Sequence, residues 1–147
     1  TQVTEVDRNS IEDLLPPLAS LQALSAELAI ENLTNDKIAL LQSKNESFAK
    51  AVKTKNYFSA LKIDEEFHRI IVETANNPYI TKMVSSLQSH VRRLFFHNSI
   101  VLTEDSIDEH QKIIDAMKKH DRDLAAKHMR ANWLRAIDEF RSLNKSI

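Results

Sequence analysis

Asp64 and His68 stand four residues apart in the stretch Asp64-Glu65-Glu66-Phe67-His68. A helix sets side-chain roots at that spacing about 6 Å apart, one above the other. A carboxylate and an imidazole so placed can converge on one divalent cation, and they can equally form a solvated surface pair. The company of the pair weighs toward burial. Phe67, Ile70, Ile71, Val72 and Ala75 make the same helix apolar over more than half its circumference, so it is expected to be embedded among other helices. His110 lies between Ile107 and Ile114 on a second apolar stripe, which aims its imidazole inward too. A lone inward histidine is ordinarily a core residue bonded to a carbonyl or carboxylate. Three ligand-type groups turned inward from two helices instead suit Zn²⁺ or Ni²⁺, for which imidazole and carboxylate are ordinary donors.

His128 and Asn132 stand one turn apart on the apolar side of the last helical stretch, and either could complete such a site. His90, His97 and His120 read as solvated or locally bonded rings. Glu65, Glu66 and Glu109 read as facing solvent, so no general base stands beside the cluster. Glu109 would support His110 only if its helix turned it inward.

The elements that must position these groups are helices. The 147 residues are enough for one domain with a core of its own. There is no cysteine, which removes disulfides, thiolate zinc sites and cysteine nucleophiles and is compatible with a reducing cytoplasm. There is no glycine, which removes phosphate-cradling loops, the dinucleotide fingerprint and turns that require glycine at positive φ. A net charge of −1 argues against a broad grip on a phosphate backbone by this segment. No run of eighteen apolar residues and no secretion signal is present, so a soluble cytoplasmic chain without a membrane partner is expected.

The apolar periodicity predicts six helices. The first starts near Ser10 and carries Leu14, Leu18, Leu21, Leu24, Leu28 and Ala29 to about Leu33. Pro16 and Pro17 within it predict a later start or a kink. Thr34 or Asn35 caps the second, with Ile38, Leu41, Phe48 and Val52 on one face. The third runs from about Tyr57 to Ala75, and Asn76-Asn77-Pro78 ends it. Pro78 starts the fourth, with Arg92 and Arg93 off the centre of its apolar face, and a loop follows from about His97. The fifth begins at Thr103 or Glu104 and the sixth at Asp121. Short connections between helices predict an all-α, antiparallel bundle.

These residues also resemble a known family. Asp64-x-x-Phe67-His68, Ala75-Asn76-Asn77-Pro78, Glu109-His110-x-x-Ile113-x-x-Ala116, Asp121-x-x-x-Ala125 and Met129-Arg130 are similar to the FCD domain. That domain is the C-terminal effector-binding domain of the FadR subgroup of GntR-type transcription regulators. The resemblance runs from about Ile11 to Leu143. It implies a bundle of six or seven helices that forms a homodimer behind a winged helix-turn-helix DNA-binding domain. Residues 1–9 would then be the linker from that missing domain, and 10–147 the effector-binding and dimerisation domain. The resemblance further implies a metal held by one aspartate and three histidines, with open positions for a small carboxylate effector.

Mapped onto this chain, the metal ligands are Asp64, His68, His110 and, where the family has its third histidine, Asn132. The Asn132 carbonyl oxygen can still ligate a cation, more weakly than an imidazole. Leu18-Ala19-Ser20-Leu21-Gln22 stands where the family tends to carry Arg-x-x-Leu-Glu. An effector anion would therefore fall to Arg92 or Arg93, with His128 a candidate replacement for the absent imidazole. The expected function is a ligand-sensing module that binds a small organic acid and touches DNA only through the attached domain. A small metal-dependent hydrolase and a metal-free helical interaction module are the alternatives. Phe95, Phe96 and Trp133 suggest a self-association surface, and core burial explains them as easily.

Overall fold

The computed structural model describes residues 9–97 and 103–145, with side chains for 12–93, 103–135 and 137–139. The expected linker (except Asn9), most of the loop after His97, and the side chains of Phe95, Phe96 and His97 lie outside the described residues. Among the described residues the chain forms six α-helices and no strand. They are α1 (Asn9–Ala29), α2 (Asn35–Lys53), α3 (Tyr57–Thr74), α4 (Pro78–His97), α5 (Glu104–Lys118) and α6 (Arg122–Lys145). Ala29 leads into a single 3₁₀ turn, Ile30–Asn32, which turns the chain into α2.

Side-chain caps explain where the helices begin. Thr34 Oγ1 accepts the Lys37 N–H at 3.2 Å, and Asn56 Oδ1 accepts the Ser59 N–H at 3.3 Å. Asn77 Oδ1 takes the N–H groups of Tyr79 and Ile80 at 3.1 and 3.2 Å, with Pro78 as the first residue of α4. Asp121 accepts the Leu124 N–H at 3.0 Å. The helix ends reach left-handed geometry without glycine. Lys55, Asn76 and His120 adopt positive φ, at 61°, 54° and 55°. After α2 and α5 the chain then closes a six-to-one bond, Asn56 N–H to Ala51 O at 2.8 Å and Asp121 N–H to Ala116 O at 3.0 Å. Left-handed geometry costs a non-glycine residue about 1–2 kcal/mol, and these closures offset it.

The first helix starts at Asn9 and contains Pro16 and Pro17, so of the two outcomes expected of the prolines the later start does not occur. Both prolines are exposed.

α1 lies along α6 and touches α3 and α4; α2 packs on α3 and α5, and α5 on α6. The main core contains Leu15, Leu18, Phe67, Ile71, Ile113, Ile114, Met117 and Met129. A smaller cluster of Phe48, Ala51, Val52 and Ala60 fills the space between α2 and α3. Trp133 is buried in the main core, so of its two readings core burial is the one that holds.

Candidate metal centre

Asp64 and His68 occupy successive turns of α3 on either side of Phe67, and the helix buries both. α5 brings His110, fully buried, against them from the other side. The Nε2 atoms of His110 and His68 lie 2.9 and 3.4 Å from the same oxygen, Asp64 Oδ1. One ligating atom from each residue falls within 4.8 Å of the other two. Bonds of about 2.0–2.2 Å to a tetrahedral ion separate its donors by roughly 3.3–3.6 Å, so small shifts would seat a divalent cation among the three.

Aromatic packing fixes the rings. Phe67 stacks on His110 with centroids 4.3 Å apart and planes 21° apart, and Phe48 meets the same ring at 4.8 Å in a tilted contact. The His68 ring meets Trp133 of α6 at 4.8 Å. His110 Nδ1 lies 3.1 Å from Asn45 Oδ1, whereas His68 Nδ1 is buried with no hydrogen-bond partner among the described residues.

The electrostatics favour the protonation states a cation requires. Burial pushes the Asp64 carboxyl up, but the charge and hydrogen bonds of His68 and His110 outweigh it and hold the group well below the usual carboxylate range. Burial pushes the His110 imidazolium down, and Asp64 reverses that only in part. An ionised carboxylate beside an imidazole that resists protonation is a donor set ready for a metal.

Asn132 is buried, and its amide donates to Glu109 Oε1 at 2.7 Å, so its carbonyl oxygen is the ligating atom it retains. His128 is half-buried, and burial together with Lys112 and Lys127 lowers its pKa. Nothing places it in the trio. Arg92 is exposed and grips Glu65 through two nitrogens at 2.7–3.1 Å. Arg93 is exposed and lies 2.8 Å from His90 Nδ1.

The solvent-facing assignment of three glutamates is corrected. Glu65, Glu66 and Glu109 are each half-buried and paired, with Arg92, Lys44 and Arg135. Glu109 is turned inward, so the condition set for its supporting His110 is met in part. It bonds Asn132 and Arg135, and its charge favours the His110 imidazolium.

Reading the sequence for ligands missed Asn45, Arg135 and Ser106. Asn45 was visible as the one polar residue on the α2 stripe of Ile38, Leu41, Phe48 and Val52. Arg135 bonds Glu109, Glu139 and the buried Ser106 hydroxyl, tying α6 to the start of α5. Its charge gave no such sign.

With this geometry in place, likeness to known proteins can be weighed. Residues 13–134 match the model of the FCD domain. The chain belongs to the FCD domain family. Its six-helix, strandless bundle is similar to two solved structures. One is E. coli McbR/YncC, with a TM-score of 0.83, 19% identity, and coverage of 94% of this chain and 71% of the other. The second is Streptococcus agalactiae GntR, with a TM-score of 0.75, 21% identity, and coverage of 95% and 61%. Among curated proteins of Bacillus subtilis (strain 168), the HTH-type transcriptional regulator YdhC is 19% identical over 134 residues. The HTH-type transcriptional regulator YcbG is 30% identical over 102 residues. These alignments cover 89% and 69% of this FCD domain, which spans 60% of the length of YdhC and 42% of YcbG.

Proposed function

We propose that this FCD domain is the ligand-sensing and dimerisation part of a cytoplasmic, GntR-type transcription regulator of the FadR subgroup. In this reading Asp64, His68, His110 and the Asn132 carbonyl oxygen hold a divalent cation, Zn²⁺ or Ni²⁺. A small organic acid binds at or near it, and DNA is contacted by an attached helix-turn-helix domain. The observation that carries the reading is the meeting of three buried donors from α3 and α5 at one point. The regulator names of YdhC and YcbG support the transcriptional role.

A bound cation would supply open coordination positions to a carboxylate. The chain's own residues would orient and select the acid. A cavity of about 220 Å³ between α1, α3 and α4 has Gln22, Arg69 and Arg92 in its wall. Gln22 Oε1 is buried without a hydrogen-bond partner among the described residues, which suits a ligand with a donor group. The Arg92 to Glu65 pair is exposed and worth about 0–1 kcal/mol, so an incoming carboxylate can compete for Arg92. Binding becomes a signal through whatever preference the acid has for one arrangement of the dimer over another.

The test is a thermal-shift screen of the Zn²⁺-loaded chain against small mono- and dicarboxylates. The reading expects one chemical class to raise Tm, to be recovered unchanged, and to lose its effect with Arg92→Ala or after the cation is stripped. No shift with any acid contradicts it.

A further inference from the structure

We infer that Asn45 is a positioning residue for the cation centre: it holds the hydrogen of His110 on Nδ1 and so turns the Nε2 lone pair toward Asp64 and His68. The inference rests on reading those three residues as a cation site.

The argument is one of donors and acceptors. Asn45 is buried on the apolar stripe of α2, between Leu41 and Phe48. Its Nδ2 lies 3.2 Å from the carbonyl oxygen of Ile107 on α5. A carbonyl only accepts, so the NH₂ end must face it and Oδ1 must face His110 Nδ1, 3.1 Å away. Reversing the amide would set two oxygens against each other at the Ile107 carbonyl. The amide oxygen in turn only accepts, so Nδ1 has to be the donor.

A neutral imidazole carries one N–H, and with it on Nδ1 the other nitrogen presents a bare lone pair. That lone pair points at Asp64 Oδ1 from 2.9 Å, one acceptor facing another. Only a positive charge between them, a proton or a cation, makes the contact favourable. Phe67 stacks on the ring and Phe48 packs against it, which opposes a flip that would carry Nδ1 away from Asn45. A ring held from behind through its other nitrogen is the usual support for a metal-bound histidine. His68 has none, since its Nδ1 meets no partner among the described residues.

The experiment combines two readouts on the whole chain. In ¹⁵N-histidine-labelled, metal-free protein, the His110 shifts should report a protonated Nδ1. An unprotonated Nδ1 overturns the inference. Competition with a chelating dye then measures Zn²⁺ affinity. Asn45→Leu removes the acceptor and should weaken binding about 10–100-fold. Asn45→Asp keeps the acceptor while placing a carboxylate against the Ile107 carbonyl. It should lower the urea midpoint yet bind Zn²⁺ within a few-fold of wild type. If affinity follows the urea midpoint in both variants, Asn45 is only structural and the inference fails. Should Asn45→Leu not fold, Asn45→Asp and the ¹⁵N shifts still decide. Wild type that binds no Zn²⁺ overturns the cation reading and this inference with it, whereas an unprotonated Nδ1 in protein that does bind Zn²⁺ overturns the inference alone.

Discussion

His110 and His68 approach the same oxygen of Asp64, at 2.9 and 3.4 Å, yet they are held from behind in different ways. His110 is clasped by Asn45 and Phe48 of α2 and by Phe67 of α3, with both ring nitrogens engaged. His68 leans on Trp133 of α6, and its Nδ1 is left without a partner among the described residues. The centre is therefore restrained on the α2 and α5 side and has fewer polar restraints toward α6, where Asn132 stands in the family's histidine position. In the proposed reading, the first side would fix where a cation sits and the second would leave room for adjustment around an effector.

The largest expected effect comes from breaking the restrained side. His110→Ala leaves Asp64 and Asn45 buried without their partner and opens a hole between two phenyl rings. Removing one member of a buried pair costs about 3–5 kcal/mol. His68→Ala should cost less, about 1–3 kcal/mol, since only a long contact and ring packing are lost. Urea unfolding of the metal-free variants measures both. Equal losses would erase the distinction between the two sides.

Acid sharpens the same contrast. The His110 pKa is lowered on folding, so folded His110 resists a proton that the unfolded chain accepts. Stability is then undiminished above about pH 6.5, the ordinary imidazole value, and falls as pH drops below it. Asp64 is lowered too, and its contribution is lost in turn as pH falls below about 4. His110→Ala should remove the loss that begins near pH 6.5, as read by stability against pH.

Smaller effects test the α6 side and the surface. Asn132→His restores an imidazole donor where restraint is weakest. If the stronger donor is worth about 1.4 kcal/mol, Zn²⁺ affinity rises about tenfold by chelator competition. An unchanged affinity would mean that residue 132 does not reach the ion. Arg92→Ala breaks only an exposed pair and should move the urea midpoint by less than about 1 kcal/mol in stability, even though it removes the effector's expected anchor.

Much of this arrangement was legible in the sequence. Helical periodicity on α3 and α5 put Asp64, His68 and His110 on apolar faces, because i, i+4 spacing and flanking isoleucines are local facts. The Thr34 cap and the helix starts at Pro78 and Asp121 were legible for the same reason. What escaped depends on neighbours distant in the chain. Asn45 matters through the Ile107 carbonyl 62 residues away, and Glu109 turns inward to meet Arg135, 26 residues on. The positive φ at Lys55, Asn76 and His120 is not legible locally, because no glycine marks these helix ends and backbone closure supports them instead. Trp133 was ambiguous from sequence, since a ring on an apolar face can serve a core or an interface.

Elemental analysis tests the central claim most directly. After reloading with Zn²⁺ and gel filtration, the wild-type chain should retain one equivalent, and His68→Ala and His110→Ala almost none. Wild-type protein that comes through without metal, or variants that hold as much as wild type, would contradict a cation centre built from α3 and α5.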